Sequence, residues 1–275
     1  MDIFFRFASY LFNCSHSSFR LYLGIAEFGV ASLDSFLVAL SHMPRIPIQG
    51  AIPQDFSWFC EPSNYRVEQD KIIICPDSGS DFWQRTHYGF RNNNGHCLWT
   101  KRSGDFILQT HVKYEPKHRF DQAGLIVYFT EDFWVKCSVE HEPDAPFNLG
   151  SVVTNLGYSD WATQPFSKQI VDMEFMIKHV KQDFEIYCRE YGTDRWQQLR
   201  ISRLELPLDT VFQVGIYACS PQEGGFEAAF DSIIIDNSIL CINKHLYVSE
   251  LRSITILTLV SFLRLSHYSH LDPLF

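Results

Sequence analysis

DQAGLIVYF (residues 121–129), WVKCSVE (134–140) and SVVTNLGYSDW (151–161) decide the fold. In the first two runs, side chains of opposite character alternate with the two-residue period of a strand. They read as paired strands. The third reads as a strand running into a polar-aromatic loop, residues 158–161, in which Ser159 and Asp160 bond their own backbone and Trp161 is an anchor or a ligand rim.

Outward from this centre the text stays β. Residues 65–76 read as a hairpin turning at Gln69-Asp70, and Asn94-Gly95 is a turn signal. Residues 76–83 read as a loop, and residues 103–116 alternate as a strand. Further strands are expected over 171–180, 184–190, 196–204, 211–218 and 227–235, separated by turn chemistry such as Tyr191-Gly192-Thr193-Asp194. Roughly ten strands without a helical period between them give an all-β sandwich over residues 55–237. Residues 1–54 form an N-terminal extension. It carries helical spacing at Leu23, Ala26, Val30, Leu33 and Leu37, or does not belong to the fold; Met43 reads as an alternative chain start. Residues 238–275 form a C-terminal extension.

The bulk properties exclude several classes. A net charge of −9 argues against general nucleic-acid binding, which needs a basic face. No window offers the ~20 nearly uncharged residues of a membrane span, and no signal peptide is evident. Eight cysteines at irregular spacing, with no Cys-x-x-Cys, read as reduced thiols in a cytoplasmic protein. No phosphate loop, metal cluster or nucleophile–base pair is legible, and no cofactor is expected. His141, Glu142 and Asp144 are the nearest approach to a hard-cation site, but read as solvated loop residues.

Several phrases together carry a family resemblance: Asp121-Gln122-Ala123-Gly124-Leu125, Trp134-Val135-Lys136, Glu140, Val152-Val153-Thr154, Ser159-Asp160-Trp161, and the run from Val214 to Pro221. Over residues 56–236 the chain resembles the DUF1349 family, which includes the fungal regulation-of-enolase group. The resemblance implies a concanavalin A-like jelly roll of two antiparallel sheets with one concave face. It also implies a cytoplasmic protein linked to carbohydrate metabolism, without established catalytic residues.

Strand phase then sorts the side chains. Leu125, Val127, Val135 and Val139 fall on the core side. Gln122, Tyr128, Trp134, Lys136, Glu140, Glu185, Tyr187, Arg189, Gln213 and Tyr217 fall on the presenting side, with Asp160 and Trp161 at its rim. Rings among paired hydrogen-bonding groups suit a sugar, whose C–H faces stack while its hydroxyls meet amides and charges. A solvated face with cross-strand pairs such as Lys136–Glu140 is the plain alternative. Gly124 would admit a ligand to the backbone or mark a bulge. The expected function is non-catalytic binding or regulation, with a carbohydrate or a metabolic-enzyme partner on the concave face. The alternative is a glycan hydrolase using Glu140 and Glu185.

Overall fold

The computed structural model describes residues 45–237. In chain order the strands are β1 (Ser57–Phe59), β2 (Asn64–Val67), β3 (Ile72–Cys75), β4 (Phe82–Gln84), β5 (Arg91–Asn93), β6 (His96–Ser103), β7 (Phe106–Tyr114) and β8 (Gln122–Thr130). They continue as β9 (Phe133–Glu140), β10 (Phe147–Asn155), β11 (Tyr158–Phe166), β12 (Val171–Val180), β13 (Asp183–Glu190), β14 (Gln197–Arg203), β15 (Val211–Cys219) and β16 (Ala228–Asp236). The front sheet runs β1-β6-β15-β8-β9-β10-β11 and the back sheet β14-β13-β12-β7-β16-β3-β2. β4 and β5 form a separate two-stranded ribbon. All named strand pairs are antiparallel. The jelly-roll expectation holds.

The main core lies between the sheets. Leu125 and Val127 of β8 and Val135, Cys137 and Val139 of β9 meet Phe175 and Ile177 of β12 and Phe184 and Ile186 of β13. Each such side chain contributes about 1.5–3 kcal/mol on leaving water. The β2–β3 hairpin turns where the sequence places it, with Val67 opposite Ile72. Residues 1–44 of the expected N-terminal extension lie outside the described residues. Its last part belongs to the sandwich: Arg45 bridges to Ile234, Ile46 N–H donates to Ile233 O at 2.7 Å, and Ile48 is buried in the core. The expected C-terminal extension, residues 238–275, also lies outside the described residues, as do the helical spacing within residues 1–42 and the Met43 start.

Two turn readings change. Residues 158–161 are strand, not loop: Asp160 pairs with Val153 and Trp161 with Val152. The turn sits just before, where Leu156 and Gly157 adopt φ of 55° and 77°, the left-handed pair that a two-residue hairpin requires. Asn94-Gly95 is not a turn but a connection. It links β5 to β6, which lie in different sheets, and a Cβ at Gly95 would stand 2.2 Å from the Phe82 ring.

Gly124 is not a bulge. Its pairing with Ser138 and Tyr217 is regular. A Cβ there would stand 2.0 Å from the Cys137 carbonyl oxygen on β9, and Gly150 and Gly215 meet neighbouring carbonyls at 2.1 Å each. Gly124, Gly150 and Gly215 lie on the side of the front sheet that faces away from the main core, and Gly124 and Gly150 both pair with Ser138 of β9. Gly124→Ala is therefore expected to cost about 2–3 kcal/mol in urea unfolding. A change under about 0.5 kcal/mol would mean that the close approach is not required.

Candidate functional site: a covered pocket on the front sheet

The outer side of the front sheet carries a second, smaller core. Cys97 and Trp99 of β6, Ile126 and Tyr128 of β8, Trp134 of β9, Val152 of β10, and Tyr217 and Cys219 of β15 pack under Phe82 and Trp83 of β4. The β4–β5 ribbon thus lies across the face that sequence phase assigns to ligand presentation. Phe82 is fully buried, 5.9 Å from the Trp134 ring and 6.3 Å from the Tyr217 ring.

Polar contacts hold the ribbon down. Gln84 N–H donates to Ser159 Oγ at 2.8 Å, and Ser159 shares a 2.7 Å bond with Thr154. Asn93 Nδ2 donates to Tyr128 OH at 3.1 Å. Arg91 pairs with Glu131 at 2.8 Å. Arg85 Nη1 donates to the Gly157 carbonyl at 2.7 Å, behind the new hairpin turn. In the connection between β4 and β5, Arg85, His87 and Gly89 all hold positive φ, of 56°, 63° and 77°. Two of these are side-chain-bearing residues in a sparsely populated region, a conformation kept only where surroundings enforce it.

Beside the ribbon a pocket of about 310 Å³ remains, within the range of small-molecule sites. Its walls are Phe82, Trp83, Tyr88, Phe90, Phe120 and Trp161, and its polar floor is Asp81, Gln122, Lys136 and Glu140. The floor is one connected network. Lys136 Nζ donates to Gln122 Oε1 at 2.7 Å, and Tyr217 OH donates to the same oxygen at 3.0 Å. Gln122 Nε2 donates to Glu140 Oε2 at 2.8 Å and to the Phe120 carbonyl at 3.1 Å. Both ends of the Gln122 amide are used fully, so it positions its neighbours. The direct Lys136–Glu140 pair expected from sequence is instead bridged by this amide. Lys136 also approaches Asp81 at 3.9 Å and lies over the rings of Trp134 and Tyr217.

Burial first, with Asp81 and Glu142 adding to it and Lys136 and Arg119 pulling the other way, pushes the Glu140 carboxyl up to about 8. At neutral pH burial therefore favours the protonated form of Glu140. Neighbouring Asp121 fixes the loop that carries Phe120: it accepts from Lys117 N–H at 2.9 Å, from His118 N–H at 2.8 Å and from the Ser220 hydroxyl.

The structure divides the residues expected on one face. Gln122, Lys136 and Glu140 meet in the pocket floor, and Trp161 stands in its wall. Tyr128, Trp134 and Tyr217 are buried beneath the ribbon as core, not as stacking platforms. Gln213 lies opposite Tyr128 at the far end of the same strands. Asp160 is mostly exposed at the sheet edge, 3.0 Å from Arg200. Glu185, Tyr187 and Arg189 belong to β13 in the back sheet. Phe184, Ile186 and Cys188 of that strand fill the main core, so their neighbours face out on the opposite side of the molecule. There Glu185 accepts from Tyr187 OH at 2.5 Å and pairs with Lys178 at 3.0 Å, and Arg189 pairs with Glu174 at 2.6 Å. Glu140 and Glu185 thus cannot flank one glycosidic bond, because two sheets separate them. The hydrolase pair is withdrawn.

Asp81, Phe82, Trp83, Tyr88, Phe90, Asn92 and Phe120 escaped the sequence reading. The clue available was the apolar Phe82-Trp83 pair inside an apparent loop. Among the described residues no three His, Cys, Asp or Glu side chains gather to hold a metal, and Glu142 is paired with Arg119 at 2.9 Å. The six described cysteines are free thiols, and Cys137 is fully buried. Among the described residues no helix is long and apolar enough to cross a membrane.

A family model described as "Protein of unknown function (DUF1349)" matches residues 58–238. The chain belongs to the DUF1349 family. Apart from Ser57 at the start of β1, that span contains both sheets, the ribbon and every residue of the pocket. "Regulation of enolase protein 1" of Saccharomyces cerevisiae is 30% identical over 176 residues, which is 63% of this chain and 85% of the relative. A solved structure of a functionally unknown protein from Saccharomyces cerevisiae superposes with a TM-score of 0.62 at 27% identity, covering 67% of this chain and 97% of the other. A xylan beta-1,4-xylosidase from Bacillus halodurans aligns with a TM-score of 0.55 at 14% identity, over 70% of this chain and 39% of that one. At that identity the likeness concerns the fold alone.

Proposed function

We propose that this DUF1349 protein is a non-catalytic binding module for a neutral sugar, with a regulatory role in carbohydrate metabolism. One observation carries the reading: an aromatic-walled pocket over a polar floor whose members are fixed by their own hydrogen bonds. Gln122 is saturated, so the groups left to meet a ligand are the remaining protons of Lys136, the Asp81 carboxylate, and Glu140 Oε1, which has no hydrogen bond among the described residues. A sugar's adjacent hydroxyls can donate to Asp81 and accept from Lys136, while its C–H faces lie against Trp161 and Trp83. The buried floor favours an uncharged ligand, since taking a charge out of water is costly unless it is fully paired, and Lys136 is already engaged by Gln122 Oε1. The name of the yeast relative, regulation of enolase, supports a regulatory rather than a degradative role. The free thiols suit a cytoplasmic setting.

A glycan array probed with the wild type and Trp161→Ala tests the reading. The wild type should retain a restricted set of neutral glycans, and the variant should lose them while keeping its far-UV circular dichroism. Equal retention by both proteins would remove Trp161, and with it the pocket, from recognition.

A further inference from the structure

A second cavity adjoins the pocket. It is an open groove of about 820 Å³ on the side where β11 and β14, the edge strands of the two sheets, face each other. Trp83, Tyr88 and Trp161 line both cavities, so the two share one aromatic ridge. Within the ridge Trp83 stands edge-on to Trp161 at 6.4 Å and to Tyr88 at 5.4 Å. Beyond it the groove offers another ring, Tyr158, which is 60% exposed and has the Arg85 guanidinium 5.5 Å from its centre. Across from it, Arg200 reaches the Asp160 carboxylate at 3.0 Å and the Asp160 carbonyl at 3.1 Å. This pair ties the edges of the two sheets together and leaves charged hydrogen-bonding atoms facing the groove. The strained Arg85–Gly89 connection lies alongside, with Thr86 and His87 in the groove lining.

Building on the sugar reading, we infer that the ligand is an extended glycan of at least three units, one end held in the deep pocket and the following units lying across the Trp161 ridge against Tyr158. A free monosaccharide would fill the pocket and leave the groove idle. The groove repeats the pocket's chemistry, a bare ring beside fixed hydrogen-bonding groups, and its position continues the pocket across a shared wall. The commitment to a chain of sugars rests on that repetition together with the continuity.

The experiment compares affinities along a mono-, di- and trisaccharide series of one neutral glycan taken from the array, by calorimetry, for the wild type and Tyr158→Ala. The trisaccharide should bind the wild type at least tenfold more tightly than the monosaccharide, and in the variant that ratio should fall to near one. A wild-type ratio near one overturns the extended site while the monosaccharide affinity leaves the pocket standing. A ratio that survives Tyr158→Ala overturns the assignment of the groove. Absence of binding by every member of the series overturns both the pocket reading and the inference built on it.

Discussion

Glu140→Gln should make this protein more stable at pH 8 than the wild type, relative to the same comparison at pH 5. The sign follows from the carboxyl's pKa, pushed by burial to about 8 from the ordinary 4.5. Below about pH 4.5 the carboxyl is protonated in both the folded and the unfolded chain and costs nothing. Between pH 4.5 and 8 the unfolded chain ionises while the folded one keeps its proton. The unfolded state gains, and stability falls throughout this window. Above pH 8 both are ionised and the loss is complete. Its size is up to about 4 kcal/mol, less where pocket water and Lys136 ease the charge. Glutamine keeps the oxygen that accepts from Gln122 Nε2 and cannot titrate, so the variant should show a flatter profile. Urea unfolding of both proteins at pH 5 and pH 8 reads the difference directly and cancels other titrating groups, His111 among them. A wild-type-to-variant difference that is the same at both pH values would mean that Glu140 is ionised in the fold at neutral pH.

Trp134→Ala should cost about 3–5 kcal/mol, a fall in the thermal midpoint of roughly 10 °C. From the sequence this ring was a stacking platform for a ligand. In the structure it has no exposed surface, its Nε1–H donates to the Glu131 carbonyl at 3.1 Å, and Phe82 closes over it. Removing it opens a cavity beneath the ribbon and strips Lys136 of one of its two aromatic neighbours. Binding should fail along with stability, so this substitution does not report on recognition. A stable Trp134→Ala protein that had lost only ligand binding would contradict the covered-face geometry.

The contrast between Trp134 and Trp161 shows where the sequence is legible. Alternation is a local property, and it placed Val135, Cys137 and Val139 on one side and Trp134, Lys136 and Glu140 on the other without error. The family resemblance supplied the sandwich around them. Alternation says nothing of which sheet a strand joins, because that depends on pairing between distant residues. Glu185, Tyr187 and Arg189 were therefore assigned to the right phase and the wrong side of the molecule. Nor does it say what lies on top of a face. The ribbon that turns an open sheet into a roofed pocket is built from β4 and β5, three residues each, too short to display a period. Phe82 and Trp83 are buried by what they cover, not by any pattern of their own. The Asp160-Trp161 phrase was misread for a related reason: turn chemistry was sought in Ser159 and Asp160, whereas the turn is made by Leu156 and Gly157.

What unites these observations is a polar floor held together by Gln122 and roofed by aromatic rings, which we propose takes one unit of an uncharged ligand. The most direct test is calorimetric titration of the wild type at pH 6.5, where Glu140 keeps its proton, against the neutral monosaccharides that make up the common glycans. Saturable binding of at least one of them with one-to-one stoichiometry, weakened tenfold or more by Trp161→Ala, is the result the account predicts. Heats indistinguishable from dilution for every sugar at millimolar concentration would contradict it.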